Sequence, residues 1–300
     1  MRALPDITSD IHSETPGTLN WVGMENIAVP INLQHGEGKI AATASKVNLL
    51  VSLDEPDTKG IHMSRLYIAA NQLAKLDCNA DNINRLLENM VSSQQGISQQ
   101  AKIELQFDIV LEKPALLSQE SGFQAYPTVI RAEKNRAGIS YELELTIPYS
   151  STCPCSASLS RQLVAEAVDE RFQGDSIDKN QLLQWLQSQA GSIATPHSQR
   201  SFAYIRLSLA NTEWPDLPAL IQQLEQVIGT PLQTAVKRID EQEFARLNAT
   251  NLMFCEDAAR RIKLALERMP AIGDYWFKVE HQESLHAHNA VAIDQKFPSP

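Results

Sequence analysis

Two thiols one residue apart, in Ser150-Ser151-Thr152-Cys153-Pro154-Cys155-Ser156, are the side chains of this sequence with the most chemistry to offer. A disulfide across a single residue would be strained, so the pair reads as a metal-binding or reactive thiolate. Two further stretches carry donors that a divalent metal accepts. Pro196-His197-Ser198-Gln199-Arg200-Ser201 supplies an imidazole close to an arginine, and Glu283-Ser284-Leu285-His286-Ala287-His288 supplies a carboxylate and two imidazoles. A mixed sulfur, nitrogen and oxygen set is compatible with zinc, manganese or iron.

Each group also has a plainer reading. A loop histidine is usually solvated, and acids such as Glu256 and Asp257 at the start of a helix favour its dipole. Glu241, beside Asp240, reads equally as an ordinary helix acid. Arg200 and the pair Lys237-Arg238 could be solubility charges, yet a local knot of this kind can hold a triphosphate inside an acidic protein.

The elements that must position these groups are legible from periodicity. Val47, Leu49, Val51 and Leu53 alternate as in a half-buried strand, as do Ile103–Leu111, Ile139–Ile147, Phe202–Leu209 and Tyr275–Val279, with a shorter strand expected around 126–131 and a hairpin partner at 289–295. Helical spacing appears after the Pro56–Gly60 turn, again from about Asp81 until Gly96, over 217–228 before Gly229, and over 256–268 before Pro270. The run from Glu283 to His288 lies just past a strand, where a loop can aim several side chains at one ion. Strand and helix order suggests an α+β chain of two tandem units, 25–150 and 151–300. A flexible arm over 1–24 would precede them, and a polar helical insertion would occupy about 159–188.

The 300 residues carry 26 basic and 36 acidic side chains, a net charge of −10, which argues against nucleic acid as a partner. The opening residues contain no apolar signal region, and no apolar run approaches the ~18 residues of a membrane helix. A cytoplasmic protein without membrane partners is expected, its four cysteines reduced.

Taken together, Thr146-Ile147-Pro148 leading into the Cys pair, His197-Ser198-Gln199-Arg200-Ser201, Lys237-Arg238-x-Asp240-Glu241, Glu256-Asp257 and Glu283-Ser284-x-His286-x-His288 resemble the B-type GTP cyclohydrolase I family, as do Trp21-Val22-Gly23-Met24 and Gly60-Ile61-His62-Met63-Ser64-Arg65. The resemblance implies a tunnelling fold, with tandem ββααββ modules whose antiparallel sheets join into barrels across the subunits of a homotetramer. It also implies metal-dependent hydrolysis of GTP to 7,8-dihydroneopterin triphosphate and formate, the product feeding tetrahydrofolate, the tRNA base queuosine, or both. By resemblance Cys153, Glu241, Glu283 and His286 line the metal site, and Cys153 and His197 are catalytic, His197 as a ligand or a proton shuttle. Glu256 would be a buried carboxylate that grips the guanine edge, with Arg200, Lys237, Arg238 and Arg65 on the phosphates. The alternatives are a related pterin or deazaguanine enzyme with a Cys nucleophile and a non-enzymatic module with a structural zinc.

Overall fold

Alternating strands build one antiparallel sheet. The computed structural model describes residues 13–35, 39–94 and 96–297. Its first part runs β1 (Leu19–His35), β2 (Lys39–Leu53), α1 (Met63–Leu73), α2 (Ala80–Ser93), β3 (Ala101–Pro114) and β4 (Ser121–Asn135). The second runs β5 (Gly138–Thr152), α3 (Pro154–Arg171), α4 (Lys179–Gln187), β6 (Ser198–Leu209), α5 (Leu217–Ile228), α6 (Arg238–Thr250), α7 (Cys255–Leu266), β7 (Ile272–His281) and β8 (Ala290–Gln295). All eight strands hydrogen-bond in chain order, so the two expected sheets form one continuous sheet through the β4–β5 pairing.

Three boundaries differ from the sequence expectation. The stretch read as an arm enters β1 at Leu19, while residues 1–12 lie outside the described residues. By element order the second ββααββ unit opens with β5, so the division falls at the Asn135–Gly138 turn rather than at residue 150. The inserted helical segment begins at Pro154, directly after Cys153, because proline with its fixed φ suits a first helical position.

The strand period of two puts Leu143, Leu145, Ile147, Ala203, Ile205 and Phe277 on one face, all buried, with α5 packed on β5 and α7 on β7, while α1 and α2 cover β1–β4. Full burial of each large apolar side chain contributes roughly 1.5–3 kcal/mol. Caps fix where the helices begin: Asn79, Asp178 and Asp216 accept the backbone N–H groups of Asn82, Gln181 and Ala219 at 2.9, 2.9 and 3.0 Å. Gly229 ends α5 at φ 95°, a left-handed conformation that glycine adopts without strain. In each half the linker after the first covering helix bridges the first strand, Asn32 to Asp77 on the outer edge of β1 and Tyr149 to Pro231 where β5 runs past its pairing with β4.

The opposite face of the sheet is polar. Arg131 on β4 pairs with Glu104 on β3 at 2.5 Å and with Glu142 and Glu144 on β5 at 2.7 Å, while Arg206 on β6 reaches Glu144 at 2.8 Å. This cluster spans the joint between the halves. No described helix is long and apolar enough to cross a membrane.

Candidate functional site

At one end of the sheet the inward rows change from apolar to polar. Tyr149, Ser201 and His281 sit side by side on β5, β6 and β7, and the next rung pairs Ser151 with Gln199. Tyr149 and Ser201 are fully buried and His281 nearly so, and Tyr149 Oη lies 3.0 Å from His281 Nε2. Burial pushes His281 down to about 4 and raises Tyr149, so the pair is neutral near neutral pH.

Directly beyond these rungs the β5–β6 hairpin opens into the α3–α4 excursion. The hairpin is pinched shut at its base, where the Cys153 N–H donates to the His197 carbonyl at 3.2 Å and the His197 N–H donates to Ser156 Oγ at 3.1 Å. Residues 44 positions apart in sequence therefore face each other. The start of α7 is tied to the same place, since the Met253 N–H donates to the Thr152 carbonyl at 3.2 Å. Two helix N-termini, of α3 and α7, thus open onto one cavity, an arrangement that favours anionic groups.

That cavity, about 430 Å³, is lined by Cys153, Cys155, His197, Glu256, Glu283 and His286, together with His288 and the buried Cys255 and His281. His197 Nδ1 stands 3.7 Å from Glu283 Oε2 and 2.9 Å from Gln199 Oε1. The Cys255 thiol donates to Glu256 Oε2 at 3.3 Å. Glu256's own backbone N–H and that thiol hold its carboxyl below the usual range, while burial and the neighbouring carboxylate push Cys255 up to about 11. Glu256 is exposed at the cavity mouth, not buried as the resemblance implied, because it takes the outward side of α7's first turn while Cys255 and Ala258 take the inward side. His286 and His288 stack 4.8 Å apart in the exposed loop over the cavity, as a loop past β7 predicts.

The remaining sequence candidates lie elsewhere in the subunit. Glu241, Lys237 and Arg238 sit at the start of α6 and are exposed. Asp240 clamps this segment to the β3–β4 turn by accepting the N–H groups of Leu117, Ser118 and Lys237 at 2.8, 2.9 and 2.8 Å, and Lys237 pairs with Glu120 at 2.7 Å. Arg200 follows Gln199 on β6, so alternation puts it on the opposite face, exposed. Arg65 lies at the far end of the sheet, where α1 begins, and donates to the Ser93 carbonyl. Motif and spacing assign no role to Tyr149, Gln199 or His281. Their signal is the inward alternation itself, since Gln199 precedes Ser201 and Ala203, and His281 follows Phe277 and Val279 in the same register.

Among the described residues no three His, Cys, Asp or Glu side chains are drawn together tightly enough to enclose an ion. The donors on the cavity walls nonetheless fit one chemically: a thiol from Cys153, imidazoles from His197 and His286, and a carboxylate from Glu283 form the mixed set that a catalytic divalent metal accepts. An open cavity differs from the closed four-coordinate shell of a structural zinc.

The fold and the sequence both have known relatives. A uricase from Bacillus fastidious superposes with a TM-score of 0.52 at 9% identity, over 92% of this chain and 93% of that one, and a hyper-thermostable AgUricase mutant with 0.51 at 10% identity over 94% of each. At such identity the likeness concerns the fold alone, which is the tunnelling fold. In sequence, GTP cyclohydrolase FolE2 of Hahella chejuensis is 57% identical across 99% of this chain and 97% of that protein, and its counterpart in Pseudoalteromonas atlantica is 53% identical across 98% and 96%. The model of the type I GTP cyclohydrolase folE2 family matches residues 4–292, a span that contains the Cys pair, the histidines of the cavity and every acid facing them, and the chain belongs to that family.

Proposed function

We propose that this chain hydrolyses GTP to 7,8-dihydroneopterin triphosphate and formate, the GTP cyclohydrolase I reaction that opens folate synthesis, as the names of its relatives indicate. The observation that carries the reading is the single cavity in which Cys153, His197, Glu256, Glu283 and His286 meet from four separate stretches of sequence. Cys153, Glu283 and His286 would hold a divalent zinc, manganese or iron ion with Glu241, and His197 would serve as a further donor or move the proton. When bound, such an ion supplies Lewis acidity for hydrolysis near neutral pH. Glu256 accepts N–H groups of the guanine edge, a charge-assisted contact that rejects bases lacking those donors. The ends of α3 and α7 offer the substrate's anionic parts a positive field.

Glu241, Lys237, Arg238, Arg200 and Arg65 stand outside that cavity, which favours their use in a neighbouring subunit's site. The strand edges support this reading. β1 and β8 each pair on one side only among the described residues, and β8 exposes Val291 and Ile293, about half uncovered at 50% and 58%. Such edges are normally paired or covered, and a homotetramer that closes sheets into barrels would do so. The expected compartment is the cytoplasm. Purified protein incubated with GTP and each divalent metal in turn should release formate, and the product should show neopterin fluorescence after oxidation and dephosphorylation. Absence of both products with every metal would reject the reaction, and an active monomer in sedimentation would reject the shared site.

A further inference from the structure

Below the cavity floor three polar side chains are removed from water in a position that apolar residues hold elsewhere along the same face. Ser151 and Ser201 are 0% exposed and Gln199 is 9% exposed. Buried polar groups lower stability unless every donor and acceptor is matched. Here they form a continuous hydrogen-bonded chain in which the Gln199 amide has a stated direction. Gln199 Nε2 donates to Ser151 Oγ at 2.7 Å, Ser151 Oγ lies 2.8 Å from Ser201 Oγ, and Gln199 Oε1 faces His197 Nδ1 at 2.9 Å.

The direction matters because a carbonyl oxygen only accepts. With the amide nitrogen engaged by Ser151, the amide presents its oxygen to the imidazole, so Nδ1 must carry the proton. Glu283 Oε2, 3.7 Å from the same nitrogen, favours a proton there as well. A neutral imidazole protonated at Nδ1 keeps its lone pair at Nε2, which has no hydrogen-bond partner among the described residues and is not enclosed by protein.

We propose that Gln199, anchored by Ser151 and Ser201, is a positioning residue that fixes the Nδ1–H tautomer and the ring orientation of His197. Nε2 is thereby presented to the cavity as a lone-pair donor, able to bind a cation or to take up a proton. The inference rests on the proposed function only in that His197 acts from this cavity. Partners behind an imidazole commonly set which nitrogen is available, and losing one typically weakens metal binding ~10–100-fold.

The test uses the full-length, metal-free protein carrying nitrogen-15 histidine, at roughly pH 8 where imidazoles are neutral. The His197 resonance, identified by its loss in His197→Asn, should report a protonated Nδ1 and an unprotonated Nε2. Gln199→Met, close in size, should release the tautomer into a mixture and weaken cobalt(II) binding ~10–100-fold, followed by absorption. Gln199→Glu should keep the tautomer, since a carboxylate also only accepts. Ser151→Ala, which frees the amide to turn over, tests the same point should Gln199→Met fail to fold. A parent His197 protonated at Nε2 would overturn the proposal. So would a folded Gln199→Met or Ser151→Ala protein with unchanged tautomer and cobalt affinity, or loss of the tautomer in Gln199→Glu. Neither readout involves GTP, so an inactive parent with the expected tautomer would remove the proposed reaction and leave the positioning role standing.

Discussion

The two halves of the sheet follow one plan and differ at one end. β1 carries Val29, Ile31 and Leu33 inward, all buried and apolar, whereas β5, which opens the second half, turns Tyr149 and Ser151 inward. β3 runs inward through Phe107 and Ile109, while β7 passes from Val279 to His281. The connections differ in the same sense. β1 and β2 are joined by residues 36–38 alone, but the link from β5 to β6 runs from Cys153 to His197 and carries two helices. The first half thus ends in apolar rungs, and the cavity opens where the second half replaces apolar burial with hydrogen-bonded polar rungs and an opened hairpin, an exchange that lowers local stability unless every polar group is matched.

Substitutions at the reactive end should separate activity from stability most sharply. Cys153→Ala should lower turnover by more than ~10³-fold, the scale on which one member of a coupled catalytic unit acts, with an unchanged melting curve. Cys155→Ala, on the exposed side of α3's first turn, should do far less. Full cyclohydrolase activity in Cys153→Ala would erase the distinction between the two ends. Glu256→Ala should weaken GTP binding by about 1.5–3 kcal/mol, roughly tenfold to a little over a hundredfold, because the guanine N–H donors lose a charged acceptor. Equal GTP affinity in a binding titration would leave Glu256 as an acid that merely favours its helix.

The joint between the halves should behave in the opposite way, affecting stability and leaving the chemistry alone. Arg131→Ala leaves Glu104, Glu142 and Glu144 facing one another, and with these groups only partly buried the expected loss is about 1–2 kcal/mol in denaturant unfolding. Hydrogen bonds and the charge of Arg131 outweigh burial and hold the Glu104 and Glu144 carboxyls below their ordinary range. Their folded-state pKa values lie below the unfolded ones, so this stabilisation is complete above the ordinary carboxylate range and fades as pH falls through the lowered folded values. The difference between parent and Arg131→Ala should shrink in acid; a gap that widened there would refute the assignment. Smallest of all, Arg246→Ala removes a solvent-screened surface pair with Glu243 and should leave the denaturant midpoint essentially unchanged.

Much of this molecule is written in local sequence. The period-two runs gave β2, β3, β5, β6 and β7, and helical spacing closed by glycine placed α5 at 217–228, because alternation and caps act over a few neighbouring residues. β1 carries no clear period-two signal, because its apolar positions are broken by a register shift between Met24 and Ile27, where Asn26 takes φ 59°. The motif residues and the family were equally legible, since residue type and order survive without coordinates.

What sequence alone could not decide was adjacency. That His197 meets Cys153, that Glu283 stands near His197, and that Gln199 lies beneath both depends on strand register and on a hairpin pinched shut across the α3–α4 excursion. Arg65 and Arg200, placed with the same site by motif, stand at the far end and on the opposite face of one sheet. A strand's period fixes which face each side chain takes, but only the long-range pairing of strands fixes which side chains become neighbours.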